Sequence, residues 1–219
     1  MTWISYIPPL LKGAQVTVLI ALASLTLGVM LAFAAGVARV SGGRILGTVA
    51  LVYVEVFRGT SLVVQLFWLY YALPLVGISF DPVTTGIVGL ALNTGAYGSE
   101  IVRGALLAVP VQQHEAARAL NFGRVHTLLH ITMPQAIVEM MPAFGNLAIQ
   151  NLKDTALVSL ISIADLTFQA QSLRNITLNS AVIYSMTLVG YFIMALVISA
   201  VVRWLEVLLR RGPAFPRTA

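Results

Sequence analysis

The chain has 219 residues, 58% of them hydrophobic and 10% charged, with a mean hydropathy of +0.90. A soluble domain of this size cannot cover so much apolar surface, so the composition predicts an all-α polytopic membrane protein. The absence of cysteine excludes disulfides and thiolate metal sites. The net charge of +5 is dispersed at helix ends, without the continuous basic stripe that nucleic acid would need.

The apolar runs are long and unbroken, without the ten-residue alternation of a membrane barrel. The opening "MTWISYIPPLLKGAQ" lacks the basic n-region of a signal peptide, so a retained first helix is expected, over Ala14 to Ala38. Ser24, Gly28, Ala32 and Gly36 recur every fourth position in it, a ridge that lets another helix approach closely. A second span is expected from Thr48 to Leu73, interrupted near Arg58-Gly59-Thr60, and a third from Val83 to Leu107. The fourth, Ala136 to Asn151, is short against the roughly 20 residues that a ~30 Å hydrocarbon core takes. Residues 156–180 are too long and too apolar for a bare loop. Leu157, Leu160, Ile161 and Ala164 have helical spacing there, predicting an amphipathic segment on the outer face. The fifth span covers Ile183 to Leu209, making about five in all.

Basic residues set the expected orientation. With the N-terminus outside, Arg39, Arg44, Arg58, Arg103, Arg118, Arg124, Arg203, Arg210, Arg211 and Arg217 are cytoplasmic, against Lys12, Lys153 and Arg174 outside. Ten against three is a positive-inside bias, and it predicts N-out, C-in. No repeat, low-complexity tract or separate soluble domain is evident, so residues 1–219 read as one transmembrane domain. There is no Walker sequence, so ATP hydrolysis is expected elsewhere.

Two spans carry polar faces. Asn93, Tyr97 and Glu100 fall at i, i+4 and i+7, and so do Asn146, Gln150 and Lys153, followed by Asp154. A charge at membrane depth costs about 2.5 kcal/mol or more on insertion scales, so such groups face protein or a wet cavity. Their bland reading is interhelical hydrogen bonding. Their functional reading is a substrate pathway. Glu55 with Arg58 and Glu100 with Arg103 are i, i+3 pairs able to neutralise each other locally.

The most charged stretch is "QQHEAARALNFGRVHTLLHITMPQA", residues 112–136. Pro110 suits a helix entry, Val111 to Leu120 a short helix, and Asn121 the left-handed residue that ends it. A second helix is expected from about Arg124 toward Pro134. His114-Glu115-Ala116-Ala117-Arg118 misses the H-E-x-x-H zinc motif by one residue, and Arg118 cannot replace the imidazole ligand. No metal site is expected.

This hairpin resembles the EAA loop of ABC importer permeases, with consensus E-A-A-x3-G-x9-I-x-L-P. Glu115, Ala116 and Ala117 match it, and Ile131-Thr132-Met133-Pro134 closes it; Asn121 replaces the turn Gly and Met133 the Leu. "YVEVFRGTSLVVQLFWLYYALP", "LNTGAYGSEIVRGAL" and "MPQAIVEMMPAFGNLAIQNLKDTALVSLISIADL" are similar to the polar amino-acid permease subgroup. "ARALN", "FGN" and "TALVSLISIADLTFQAQ" look most like its ectoine and hydroxyectoine permeases.

The resemblance implies a type I ABC importer transmembrane domain in a bacterial inner membrane, importing a polar amino acid or ectoine-type solute by alternating access. Residues 110–134 would be the coupling hairpin for an ABC ATPase dimer, through Glu115, Ala116, Ala117, Asn121, Gly123 and Pro134. ATP and Mg would be bound by that ATPase, leaving no cofactor and no enzyme activity in this chain. The other implied partners are a second permease subunit, an extracellular solute-binding protein and membrane lipid. Gln65, Asn93, Tyr97, Glu100, Asn146, Gln150, Lys153 and Asp154 are the pathway candidates. The alternative is a stand-alone secondary transporter or channel, which leaves the hairpin unexplained. An intramembrane hydrolase fails because His114, His126 and His130 all lie in the hairpin.

Overall fold

Pro8 and Pro9 lie in the first turn of α1 (Ile7–Ser41), where a missing N–H is harmless, and nothing interrupts the next thirty residues. The computed structural model describes residues 3–210, so Arg211 and Arg217 of the expected cytoplasmic charges lie outside the described residues. At Gly42 the N–H closes onto the Ala38 carbonyl, 2.9 Å away, and a Cβ would collide with that carbonyl. The chain then enters α2 (Arg44–Gly59), turns through 105° at Thr60-Ser61, and continues as α3 (Leu62–Phe67).

A wide turn, Trp68–Ala72, ends α3, followed by a tight turn, Leu73–Val76. After α4 (Pro82–Ala108), α5 (Val111–Ala119) and α6 (Arg124–Thr127), a second wide turn, Leu128–Thr132, leads into α7 (Met133–Asp154). The two wide turns share a cause. In each, the N–H before a proline bonds five residues back: Leu73 to the Trp68 carbonyl before Pro74, and Met133 to Leu128 before Pro134. A proline ring crowds the carbonyl four residues earlier, and widening the turn makes room without breaking the helix. A tight turn over Thr155–Ile161 then leads to α8 (Leu166–Thr177) and α9 (Ser180–Arg210).

Close contacts fix the helix directions. Gly28 of α1 meets Thr94 of α4, and Gly36 meets Ser99 and Val102, so the two run parallel. Ser24, Gly28, Ala32 and Gly36 are all buried, so the predicted small-residue ridge is the α1 face that seats α4. Thr94 and Gly98 of α4 meet Asn151 and Leu147 of α7 in reverse order, and Gly145 meets Val202 of α9 while Tyr191 reaches Thr155 at the far end of α7, so each later pair is antiparallel. One end of the bundle therefore gathers the ends of α1, α4 and α9 with the α5–α6 hairpin. The other end gathers residues 155–177 and the start of α1, where Gly13 abuts Asp165 and Leu166.

Helices α1 and α9 are each long and apolar enough to cross a membrane, and the pairs 44–59 with 62–76 and 124–161 with 166–177 qualify as bent spans. Helix α4 has the length, 27 residues, but its polar face leaves it outside that set. Of that face, Asn93 is buried, Glu100 half-buried and Tyr97 exposed. The short fourth span is longer than predicted, 22 residues, with Pro142 inside it. Residues 156–180 divide into the end of the tight turn, a left-handed corner at Ser162, and α8. Arg58 lies beside Tyr97 and Glu100, and Glu100 also meets Arg39 near the end of α1 and Arg103 in the last two turns of α4.

Candidate functional site

Where α2 stops at Gly59, its last carbonyls lose their helical partners, and a buried amide replaces them. Gln65 Nε2 donates to the Phe57 carbonyl at 2.8 Å and to the Thr60 carbonyl and hydroxyl at 3.2 and 2.8 Å. Asn93 Nδ2 reaches the same Phe57 carbonyl at 3.3 Å and Gln65 Oε1 at 3.4 Å. These two side chains pin the bend against α4. Between the bend, α4 and α7 lies a cavity of about 370 Å³. Thr60, Ser61 and Leu62 line it from the bend, Asn93, Thr94 and Tyr97 from α4, and Leu147, Gln150, Asn151 and Asp154 from α7.

Of the predicted pathway residues, Asn93, Tyr97, Gln150 and Asp154 line this cavity, and Gln65 buttresses its wall. Gln150 donates to Asp154 Oδ1 at 2.9 Å. Asn146 and Lys153, expected on the same face, are exposed and do not line it, because the α7 face turned to α4 is set by Leu147, Gln150 and Asn151. Glu100 lies beyond Tyr97 and binds cations. Its Oε1 accepts from Arg39 at 2.5 Å and Arg58 at 3.3 Å, and its Oε2 from Arg103 at 3.0 Å. The expected Glu100–Arg103 pair therefore forms. No Glu55–Arg58 pair forms among the described residues, since Arg58 turns to Glu100 across the α2–α4 contact.

Sequence reading missed Asn151, which joins three helices. Its Oδ1 accepts from Thr94 at 2.9 Å and Ser24 at 3.2 Å, and its Nδ2 donates to the Ala21 carbonyl at 3.0 Å. The available signal was its i, i+3 spacing from Ala148 on the small-residue side of α7. The Arg39–Glu100 contact, 61 positions apart, has no local signature.

The hairpin forms by its own turn chemistry. Asn121 adopts φ 58°, the Phe122 N–H bonds the Ala117 carbonyl at 2.9 Å, and the Asn121 N–H bonds Arg118 at 2.9 Å. That reciprocal pair is a Schellman ending with Asn in the left-handed position. His114 Nε2 lies 3.3 Å from Thr132 Oγ1 and ties α5 to the second arm. Glu115, Ala116, Asn121 and Gly123 are exposed and Pro134 is half-buried, but Ala117 is only 2% exposed. Around Glu115 the surface carries Val111, Leu120, Phe122, Val125 and Leu129, all exposed.

Residues 24–212 match the family described as binding-protein-dependent transport system inner membrane component. A probable amino-acid ABC transporter permease, y4tF of Sinorhizobium fredii, is 49% identical over 212 residues, covering 94% of this chain and 89% of the relative. The glutamine transport system permease GlnP of Escherichia coli is 40% identical over 202 residues, covering 91% and 92%. The crystal structure of an amino acid ABC transporter with histidines superposes with TM-score 0.86 at 34% identity, covering 95% of this chain and 96% of that one. An inward-facing structure of the MetNI methionine ABC transporter, at TM-score 0.79 and 20% identity, covers 94% and 98% and shares the fold. The chain belongs to the binding-protein-dependent transport system inner membrane component family, as a multi-pass permease of the inner membrane.

Proposed function

We propose that this chain is the permease subunit through which an ATP-driven importer passes a polar amino acid into the cytoplasm. The observation that carries this reading is the pairing of a polar cavity at the α2–α3 bend with an exposed hairpin at one end of the bundle. The relatives described above carry amino acids or glutamine in their names, which favours a polar amino acid over the finer ectoine reading. ATP and Mg belong to a separate ATPase dimer. That dimer receives the hairpin through Glu115, Ala116, Asn121 and Gly123, set among exposed apolar side chains that would otherwise face water. A solute-binding protein delivers to the end formed by residues 155–177, and a second permease subunit completes the pathway.

The test is reconstitution of the chain with its genomically adjacent ATPase, second permease and binding protein in proteoliposomes. Uptake of labelled L-amino acids should require ATP inside and survive an ionophore. Uptake that an ionophore abolishes and ATP does not drive would establish the secondary-transporter alternative. Glu115→Ala should lower uptake by about ten- to a hundredfold while the cavity still binds solute, because one desolvated charge contact is worth roughly 1.5–3 kcal/mol.

A further inference from the structure

Three ion pairs converge on one carboxylate: Glu100 of α4 holds Arg39 of α1, Arg58 of α2 and Arg103 of its own helix. The Arg103 pair is internal to α4, whereas the other two join three helices. Arg58 stands just before Gly59, where α2 ends and the chain turns through 105°. That turn is loosely packed. A Cβ at Gly59 would meet nothing, and Thr60 and Ser61 are exposed. Helix α2 is itself thinly seated, with Ala50 and Val54 as its buried residues, so polar ties hold it to α4. The Tyr53 hydroxyl donates to the Leu92 carbonyl at 2.7 Å, the Gln65 and Asn93 amides take the Phe57 carbonyl, and Arg58 reaches Glu100 at 3.3 Å. Leu92 and Asn93 share one level of α4, and Glu100 lies about two turns nearer the hairpin.

The root of the hairpin is packed tightly instead. Val109, next to Pro110, is 9% exposed and shares a core with Val102, Ala105 and Leu106 of α4, Ala32 of α1, and Ala136 and Met140 of α7. Close-packed side chains transmit a displacement with little slack, so a movement of the hairpin is delivered to the last turns of α4. We propose, on the importer reading given above, that Glu100 is a positioning residue that carries this movement on to α2. By holding Arg58 it makes the end of α2 follow α4, and the bend that walls the cavity turns with it. Without the ion pair, the polar ties that remain between the two helices among the described residues lie around Leu92 and Asn93, and the end of α2 lags behind the hairpin.

The test uses proteoliposomes holding the complete importer, with ATP hydrolysis and amino-acid uptake measured on the same samples. Glu100→Gln keeps the shape and removes the charge. It should leave hydrolysis within about twofold and lower the uptake per ATP hydrolysed about tenfold. Arg58→Gln should do the same, and the double variant should be no worse than Glu100→Gln alone, because one contact is lost only once. Arg58→Lys should recover part of the ratio, and Arg103→Gln, which breaks the pair within α4, should leave it unchanged. General damage to the fold lowers hydrolysis and uptake together and does not move their ratio. Should Glu100→Gln not assemble, Arg58→Gln and Arg58→Lys still decide the matter. An unmodified importer whose uptake needs no ATP overturns the importer reading itself. ATP-driven uptake with a ratio indifferent to Arg58, or losses that simply add in the double variant, overturns the role of the Glu100–Arg58 contact alone.

Discussion

Asn151 stands where α1, α4 and α7 meet, and its amide divides its hydrogen bonds among them, to Ser24, Thr94 and the Ala21 carbonyl. It is 2% exposed, so no water replaces a bond that is lost. Asn151→Leu keeps the branched shape and strands the Ser24 and Thr94 hydroxyls. Each buried polar group left unpaired costs about 1–3 kcal/mol, although Ser24 retains a 3.3 Å bond to Ala21. A fall of several degrees in the unfolding midpoint of the detergent-solubilised protein is expected, whereas Asn146→Leu on the exposed side of α7 should leave it unchanged. Equal midpoints for the two variants would refute the idea that Asn151 binds the three helices together.

Among the elements, α4 shows what a local signal specifies. Asp81 caps it: Thr84 donates through its hydroxyl to Oδ1 at 2.6 Å and through its N–H to Oδ2 at 3.0 Å, with Pro82 in the first turn. The Thr84 hydroxyl first, and its N–H next, hold the Asp81 carboxyl below its unperturbed 3.8. A lowered value means the folded state sheds this proton more readily than the unfolded state. The cap therefore stabilises fully above about pH 4 and fades as pH falls through the folded value. Hydrogen-exchange protection of the Thr84 amide, corrected for intrinsic rates, should be flat from pH 7 to about 4.5 and decline below. Asp81→Ala should remove both the protection and its pH dependence; a decline that persists in Asp81→Ala would place its cause elsewhere. Such caps are legible in sequence because the chemistry is confined to four residues. The same holds for the hairpin, where Asn121 was placed correctly, and for the break at Arg58-Gly59-Thr60. The bend angle was not legible, because Gln65 and Asn93 fix it from different elements. Nor was the burial of Ala117.

At the scale of the whole molecule, the chain leaves two unlike surfaces uncovered. Helix α9 shows Leu188, Phe192, Ile193, Leu196 and Val197, a face that lipid satisfies. The face around the cavity is different: Tyr97 is 43% exposed, and Gln150, Asn146 and Arg58 are exposed within the span of the bundle. Polar groups at that depth do not face hydrocarbon, so protein must cover them. On the proposal made above, a second permease subunit would supply that cover, with this cavity as one wall of a pathway between two chains. The proposal would also account for Asn146, whose polar pattern is visible in sequence and which is exposed. Because the protein has no cysteine, single-cysteine variants need no altered background. In membranes carrying the complete importer, Asn146→Cys should crosslink to a cysteine introduced on the facing helix of the second permease. Phe192→Cys should instead react with a lipid-soluble maleimide and form no crosslink. Two differently tagged copies of this chain would show whether the facing subunit is the same polypeptide. Crosslinking through Phe192, with Asn146 open to the lipid-phase reagent, would place the subunit contact on α9 and leave the cavity facing the bilayer, an arrangement its exposed polar rim could not sustain.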